Sequence, residues 1–409
     1  MRIESKGGAF GWVASLGFLL FAGSAGAQGL PTTMQQAERM DHGDELPMTS
    51  FYATPAHWRH TEPGALLRRE TYTGYSLPAG TTAVRILYHS LDAAGRGVVT
   101  SGVVLVPTGK APAGGWPVIA WAHGTSGVAR ACAPSLMKDV YYGNEGLSEM
   151  LRAGFAIVAT DYHGLGTEGA HQYVSLDAQA RDVIYSVPAA RRAVPSLGAR
   201  WVVDGHSQGG ATAWRVATLE SSLDDPHYLG AVSVSGSASM RDLIEHVDRS
   251  QGGQFYLTYI AFGIHARYPK FEPADMLTPR ALAGYHAATT KGCWYIGYFL
   301  YSKGPHESLL RADWRKNPWV RRFLRQAREG DRRLSKPILV LAGEADRTVP
   351  FAGERRVAAR ACRVGSLVQF KAYPGLDHDP TMVKSVPDQL HWIADRFAGK
   401  TPTSNCASL

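Results

Sequence analysis

The sequence predicts an α/β protein: a mostly parallel central sheet with helices on both faces, interrupted once by an inserted helical segment. Three observations carry this expectation. Short apolar runs of strand length alternate with helical candidates, the pattern of a parallel sheet buried on both sides. Ala83–Ser90 and Val98–Pro107 flank Asp92-Ala93-Ala94-Gly95 and read as an antiparallel hairpin leading into that sheet. Residues 236–335 then break the alternation, being helical and aromatic in character without a convincing core strand.

The chain begins with Arg2 and Lys6, an apolar run from Phe10 to Ala22, and Ala25-Gly26-Ala27. This is the pattern of a secretory signal peptide over residues 1–27, cut after Ala27. The run is too short, and too broken by Gly and Ser, for a bilayer span of about 20 residues. A secreted mature protein, extracellular or periplasmic, is expected. The 4 cysteines all lie beyond the cut, and an even number suits an oxidising compartment.

Residues 28–80 show no clear period and read as a lead-in wrapped on the body. The core is expected over residues 81–235 and 336–409. After the hairpin its strands are Trp116–Ala122, Phe155–Thr160, Trp201–Val203, Ala231–Val234, Pro337–Leu341 and Val368–Tyr373. Helices are expected at Leu147–Ala153, Ala178–Val194, Gln208–Leu219 and Val386–Phe397, with residues 236–335 as a helical cap. Composition agrees: 45% hydrophobic and 19% charged residues in 409 exclude a disordered chain. The formal charge of +8 invites an anionic partner. Without zinc-finger spacing, an aromatic RNA-binding motif or long heptads, it is read as a surface property, and no nucleic-acid partner is expected.

The strongest chemical signal is Gly205-His206-Ser207-Gln208-Gly209, placed between a strand and a helix. A G-x-S-x-G at such a turn is a nucleophile elbow, which exposes the serine hydroxyl above the carboxyl ends of the strands. Serine needs a base, and the base an orienting acid, in the chain order Ser, acid, His. Two later strands run into Gly343-Glu344-Ala345-Asp346 and Gly375-Leu376-Asp377-His378-Asp379. His378 is therefore the expected base, on a loop, and Asp346 the expected acid, with Glu344, Asp377 and Asp379 as alternatives. An unperturbed histidine in that role would lose activity as pH drops through roughly 6 to 7. The oxyanion needs two backbone donors. Gln208 supplies one, and Thr125 in His123-Gly124-Thr125-Ser126-Gly127 the other, with Gly124 second.

Two further patterns are set aside. Gly164-Leu165-Gly166-Thr167-Glu168-Gly169 has dinucleotide-binding spacing but does not open a clear helix, so no cofactor is expected. His123, His163 and His206 lie near the proposed site, yet no H-E-x-x-H occurs and His306-Glu307 lacks its second histidine, so no metal is expected.

Together the hairpin ending in Val103–Pro107, the His123-Gly124-Thr125 loop, Asp161-Tyr162-His163-Gly164-Leu165-Gly166-Thr167, the elbow and the Asp346 and His378 segments resemble the secretory lipase family of α/β-hydrolases. The resemblance spans roughly residues 80–397. It implies an α/β-hydrolase fold, a secreted carboxylic-ester hydrolase acting on lipid-like esters, a helical cap over an acyl pocket, and no cofactor. A serine peptidase or amidase on the same residues, or a non-catalytic binding protein of this fold, is the alternative. A lead-in of about fifty residues is too short for the propeller of oligopeptidases, and an intact Ser, Asp and His set argues against the second.

Four cysteines allow three pairings. Placement, and the same resemblance, point to Cys132–Cys293, tying cap to core, and to Cys362–Cys406, with Cys362 expected just beyond the helix that follows the acid and Cys406 beyond the terminal helix. Arg311 to Arg333 holds nine Lys or Arg against three acids. There Trp319, Val320, Phe323, Leu324 and Ala327 recur at helical spacing opposite Arg321, Arg325 and Arg328. The expectation is an amphipathic cap helix, with peripheral contact to an anionic lipid interface as its sharper form.

Overall fold

In the computed structural model, residues 29–236, 238–250, 252–303 and 307–409 are described, and Pro31–Leu409 form one compact unit. The expected signal peptide, residues 1–27, lies outside the described residues, as does His306. Strands form where the apolar runs lie: β1 (Leu66–Thr71), β2 (Thr82–Leu91), β3 (Gly97–Val106), β4 (Trp116–Ala122), β5 (Ala156–Thr160), β6 (Leu197–His206), β7 (Tyr228–Val234), β8 (Ile338–Gly343) and β9 (Val368–Tyr373). They make one sheet in the order β1-β2-β3-β5-β4-β6-β7-β8-β9, antiparallel as far as the β3–β5 pair and parallel from β5 onward.

Side chains alternate across the parallel part, as the period of two demands. Val118, Ala120 and Val203 pack on one face, Ile119, Trp121 and Val202 on the other. The helices are α1 (Met34–His42), α2 (Ser148–Arg152), α3 (Leu176–Ala193), α4 (Gln208–Leu223), α5 (Met240–Val247), α6 (Tyr256–Arg267), α7 (Pro279–Thr290), α8 (Trp294–Tyr301), α9 (Pro318–Gln326), α10 (Phe351–Arg363) and α11 (His378–Phe397). Among them α3, α4 and α10 cover the first face, while α2 and α11 cover the second. Helices α5 to α9 fill the break between β7 and β8. Their apolar cluster is continuous with Val128, Tyr173, Leu176, Ala211 and Val349 of the sheet side.

Three elements differ from expectation. The lead-in contributes strand β1 to the sheet edge; its residues are half-buried or exposed, so no apolar alternation marks it. Helix α11 begins at His378 rather than near Val386, so His378 sits in a first helical turn and not on a loop. Pro380 and Pro387 disguise this start, but a proline in the first turn costs no backbone donor. Cys362 lies within the last turn of α10 rather than beyond it.

The insertion is fastened to the rest at α8. The Asp41 carboxylate, from α1, accepts hydrogen bonds from the N–H groups of Cys293, Tyr295 and Ile296, at 2.8 to 3.1 Å. An anion at unpaired helical N–H groups is favoured by charge and by hydrogen bonding alike. Cys293 is also joined to Cys132 by a disulfide across 161 positions, and Cys362 is joined to Cys406. Closing so long a loop restricts the unfolded chain by about 5 kcal/mol in the chain-entropy model, of which 2–4 is commonly realised. A Cys132→Ser/Cys293→Ser variant should therefore lose about 2–4 kcal/mol in denaturant unfolding. An unchanged midpoint would show that the bond does not constrain the chain.

Candidate active site

Ser207 sits at the turn between β6 and α4, with φ 58° and ψ −115°. A non-glycine residue in that region is strained and persists only where its surroundings hold it. Here its N–H donates to Val234 O at 2.9 Å. The flanking glycines are sterically required. A Cβ on Gly205 would lie 2.5 Å from Gly209 O, and one on Gly209 would lie 1.8 Å from Ala122 O.

The structure brings His378 and Asp346 together from the ends of the last two strands. His378 Nδ1 and Asp346 Oδ2 are 2.8 Å apart, and both side chains are buried. The other carboxylate oxygen of Asp346 accepts the N–H groups of Thr348 and Val349, each at 2.8 Å. Burial opposes the charge on Asp346, but His378 and these two donors outweigh it and hold its pKa below the usual value. Burial likewise opposes protonation of His378; the Asp346 charge and hydrogen bond, aided by Asp379 and Asp377, prevail and raise it to about 9.

The alternative acids have other places. Glu344 is exposed. Asp377 caps α11 through the His378 N–H and pairs with Arg347 at 2.5 Å. Asp379 is exposed beyond the histidine.

Thr125 is pinned from two sides. Its carbonyl accepts the Tyr141 hydroxyl at 2.7 Å, and its hydroxyl lies 2.7 Å from that of Tyr173. Among the described residues, neither its N–H nor that of Gln208 has a hydrogen-bond partner, which leaves two donors free beside Ser207. The Asp161–Thr167 run braces this loop. The Tyr162 hydroxyl donates to His123 O at 3.1 Å, while Asp161 accepts from Ser101 and twice from Ser135. No helix follows Gly164 and Gly166 until α3, as expected of a turn rather than a nucleotide cradle.

His123 is held down to about 4 and His171 to about 3 by burial, so both are neutral. His206 packs on His378 at 4.6 Å between ring centroids and meets the Tyr142 hydroxyl through Nδ1 at 2.8 Å. His206, His378 and Asp379 place possible metal-ligand atoms within 4.8 Å of one another. Two of these residues are buried, and Nδ1 of His378 already meets Asp346.

The space at Ser207 is almost filled. Tyr173, Leu243, Tyr256, Thr348 and Val349 leave about 10 Å³ there, the room of one water at most. Tyr256 comes from the insertion, where its hydroxyl accepts Trp294 Nε1–H at 2.9 Å. Sequence reasoning pointed to the apolar segment 255–262 that holds Tyr256, but it singled out none of Tyr141, Tyr142 and Tyr173. No local motif marks them, since each reaches the site through packing.

The chain matches the family model described as secretory lipase over residues 139–405. A secreted triacylglycerol lipase of Malassezia globosa is 23% identical over 403 residues, covering 87% of this chain and 80% of that protein. A protein of Mycobacterium tuberculosis described as a probable inactive lipase is also 23% identical, covering 87% of this chain and 83% of its own length. Among solved structures, Candida antarctica lipase A superposes with a TM-score of 0.74 at 15% identity, over 88% of this chain and 89% of that one. A rice cell wall degrading esterase from Xanthomonas oryzae gives 0.70 at 18%, over 83% and 98%. These structural likenesses share the α/β-hydrolase fold. The family match spans most of the chain: this protein belongs to the secretory lipase family of carboxylic ester hydrolases.

Proposed function

We propose that the protein hydrolyses lipid-like esters with Ser207 as nucleophile, His378 as general base and Asp346 as the acid that orients it. The observation that carries this reading is the Asp346–His378 hydrogen bond, with His378 packed on His206, the residue next to a strained serine at a helix N-terminus. One relative is described as a probable inactive lipase, so turnover rests on these side chains and not on kinship alone.

Neutral His378 takes the Ser207 proton through Nε2 as Oγ attacks the ester carbonyl. The tetrahedral oxyanion is held by the N–H groups of Gln208 and Thr125. Collapse expels the alcohol, which leaves with the proton from His378, and an acyl-serine remains. Water, deprotonated by the same imidazole, then frees the acid and restores Ser207. Among the described residues Ser207 Oγ makes no hydrogen bond, in keeping with a closed site whose Ser–His contact tightens on substrate binding. Export fits the same reading: residues 1–27 act as the signal, cleavage follows Ala27, and two disulfides suit an oxidising compartment.

Ser207→Ala and His378→Ala should each abolish nitrophenyl-ester turnover, by roughly a millionfold, with Asp346→Asn losing less. Folding, followed by circular dichroism, should persist in all three. Wild-type turnover in Ser207→Ala would end the proposal.

The acid limb of kcat/KM should lie well above the unperturbed histidine value of about 6.5. Imidazolium persists below the raised value near 9, and the neutral base appears only as pH climbs through it. The range of roughly 6 to 7 expected of an unperturbed imidazole is therefore moved upward by Asp346. Asp346→Asn should shift the limb to lower pH; a limb that stays in place would separate His378 from that carboxylate.

Tyr256 limits the acyl group in this reading. Tyr256→Ala should raise the octanoate-to-acetate ratio of kcat/KM at least about tenfold, the low end of what one added methylene is worth in an apolar pocket. An unchanged ratio would place the acyl chain elsewhere.

A further inference from the structure

Arginines from three elements converge on a cleft that the proposed reaction does not use. It lies between α9 with its following turn, the start of α5, and α10, and its volume is about 470 Å³. Arg321 and Arg325 reach it from α9, Arg328 from the turn, Arg241 from α5, and Arg356 and Arg360 from α10. One acid lines it, Asp242, and Arg356 occupies that carboxylate at 2.8 Å.

Acids around the rim are engaged as well. Glu245 pairs with Arg241 and Arg315, and Asp331 with Arg328 and Arg360. Arg321 and Arg325 are exposed and form no ion pair among the described residues. Guanidinium groups cannot relieve such crowding by losing a proton, because they stay charged at any ordinary pH. What relieves it is an anion, and the planar fork of arginine matches phosphate oxygens two at a time. Salt screens exposed charges beyond about 10 Å at 0.1 M, so the attraction favours an anion seated in the cleft over one passing near it.

We propose that this cleft is a binding site for a phosphate-bearing anion, seated between Arg321 and Arg325 of α9 and the arginines of α10. A soluble phosphate compound and an anionic phospholipid headgroup present the same group, and two probes distinguish them. Calorimetry with inorganic pyrophosphate at 0.1 M salt tests the first. Co-sedimentation with phosphatidylglycerol–phosphatidylcholine vesicles, against phosphatidylcholine alone, tests the second.

The mature chain should bind at least one probe, and Arg321→Glu/Arg325→Glu should weaken that binding at least tenfold. Lys110→Glu/Lys384→Glu removes the same charge from exposed sites that do not line the cleft and should bind as wild type. Pyrophosphate binding assigns a soluble ligand; vesicle binding without it assigns a headgroup. Binding of neither probe, or equal weakening in both double variants, overturns the site. The measurements are made on Ser207→Ala as well, whose binding should equal wild type, so the result stands apart from the fate of the catalytic reading.

Discussion

The strained turn at Ser207 is the constraint around which the rest of the site is arranged. A positive φ on a residue with a side chain is held only because β6 and α4 are each fixed independently. The strand lies between β4 and β7, and α4 packs on the same sheet face as α3. The two glycines then let the turn press against Ala122 at the end of β4. That closeness puts the end of β4, and the loop that leaves it, directly beside the serine. Shape at one turn therefore brings Thr125, whose N–H is free among the described residues, to the serine.

Thr125 is held there by residues far away in the chain. Thr125 is fixed by tyrosines at 141 and 173, and the loop before it rests on Tyr162. Asp161 anchors this run through Ser135, whose carbonyl in turn receives Arg85, Tyr75 and Tyr52. Arg85 is fully buried and stacks 3.4 Å over Tyr72. The lead-in supplies Tyr52, Glu70, Tyr72 and Tyr75 to that guanidinium, so it belongs to the bracing of the site and is not mere wrapping. A buried charge is tolerated only when its donors are satisfied, and here Ser135, Glu70 and Tyr75 satisfy them.

What the sequence made legible follows from how local each signal is. Buried parallel strands such as β4 and β8 show as unbroken apolar runs, and the elbow is complete within five residues. Asp346 and His378 could be placed because each follows a strand end directly. Strand β1 escaped because an edge strand needs only one covered side. The start of α11 escaped because prolines at 380 and 387 read as breaks, although Asp377 is a good cap. The tyrosines around Thr125, and Asp41 at the start of α8, carry no local mark at all; Asp41 meets Cys293 across 252 positions. The raised pKa of His378 depends on distances and burial, neither of which a motif contains.

The insertion and the loop after β4 share their fastenings, which changes what the insertion does for the site. Gly127 pairs with Cys293 as an isolated bridge, and Cys132 closes the disulfide to the same residue. Ser126 reaches back to Cys132 O at 2.7 Å, so residues 126–132 form a short buckle clamped onto the N-terminus of α8. Thr125 immediately precedes that buckle. Its backbone is thus set on one side by Tyr141 and Tyr173, from loops between the strands, and on the other by a helix of the insertion, which Asp41 holds in turn. A segment that only covered the site could be exchanged without disturbing the chemistry beneath it. This one is joined to the loop that offers the free N–H, so its packing and the geometry at Ser207 are parts of one mechanical unit.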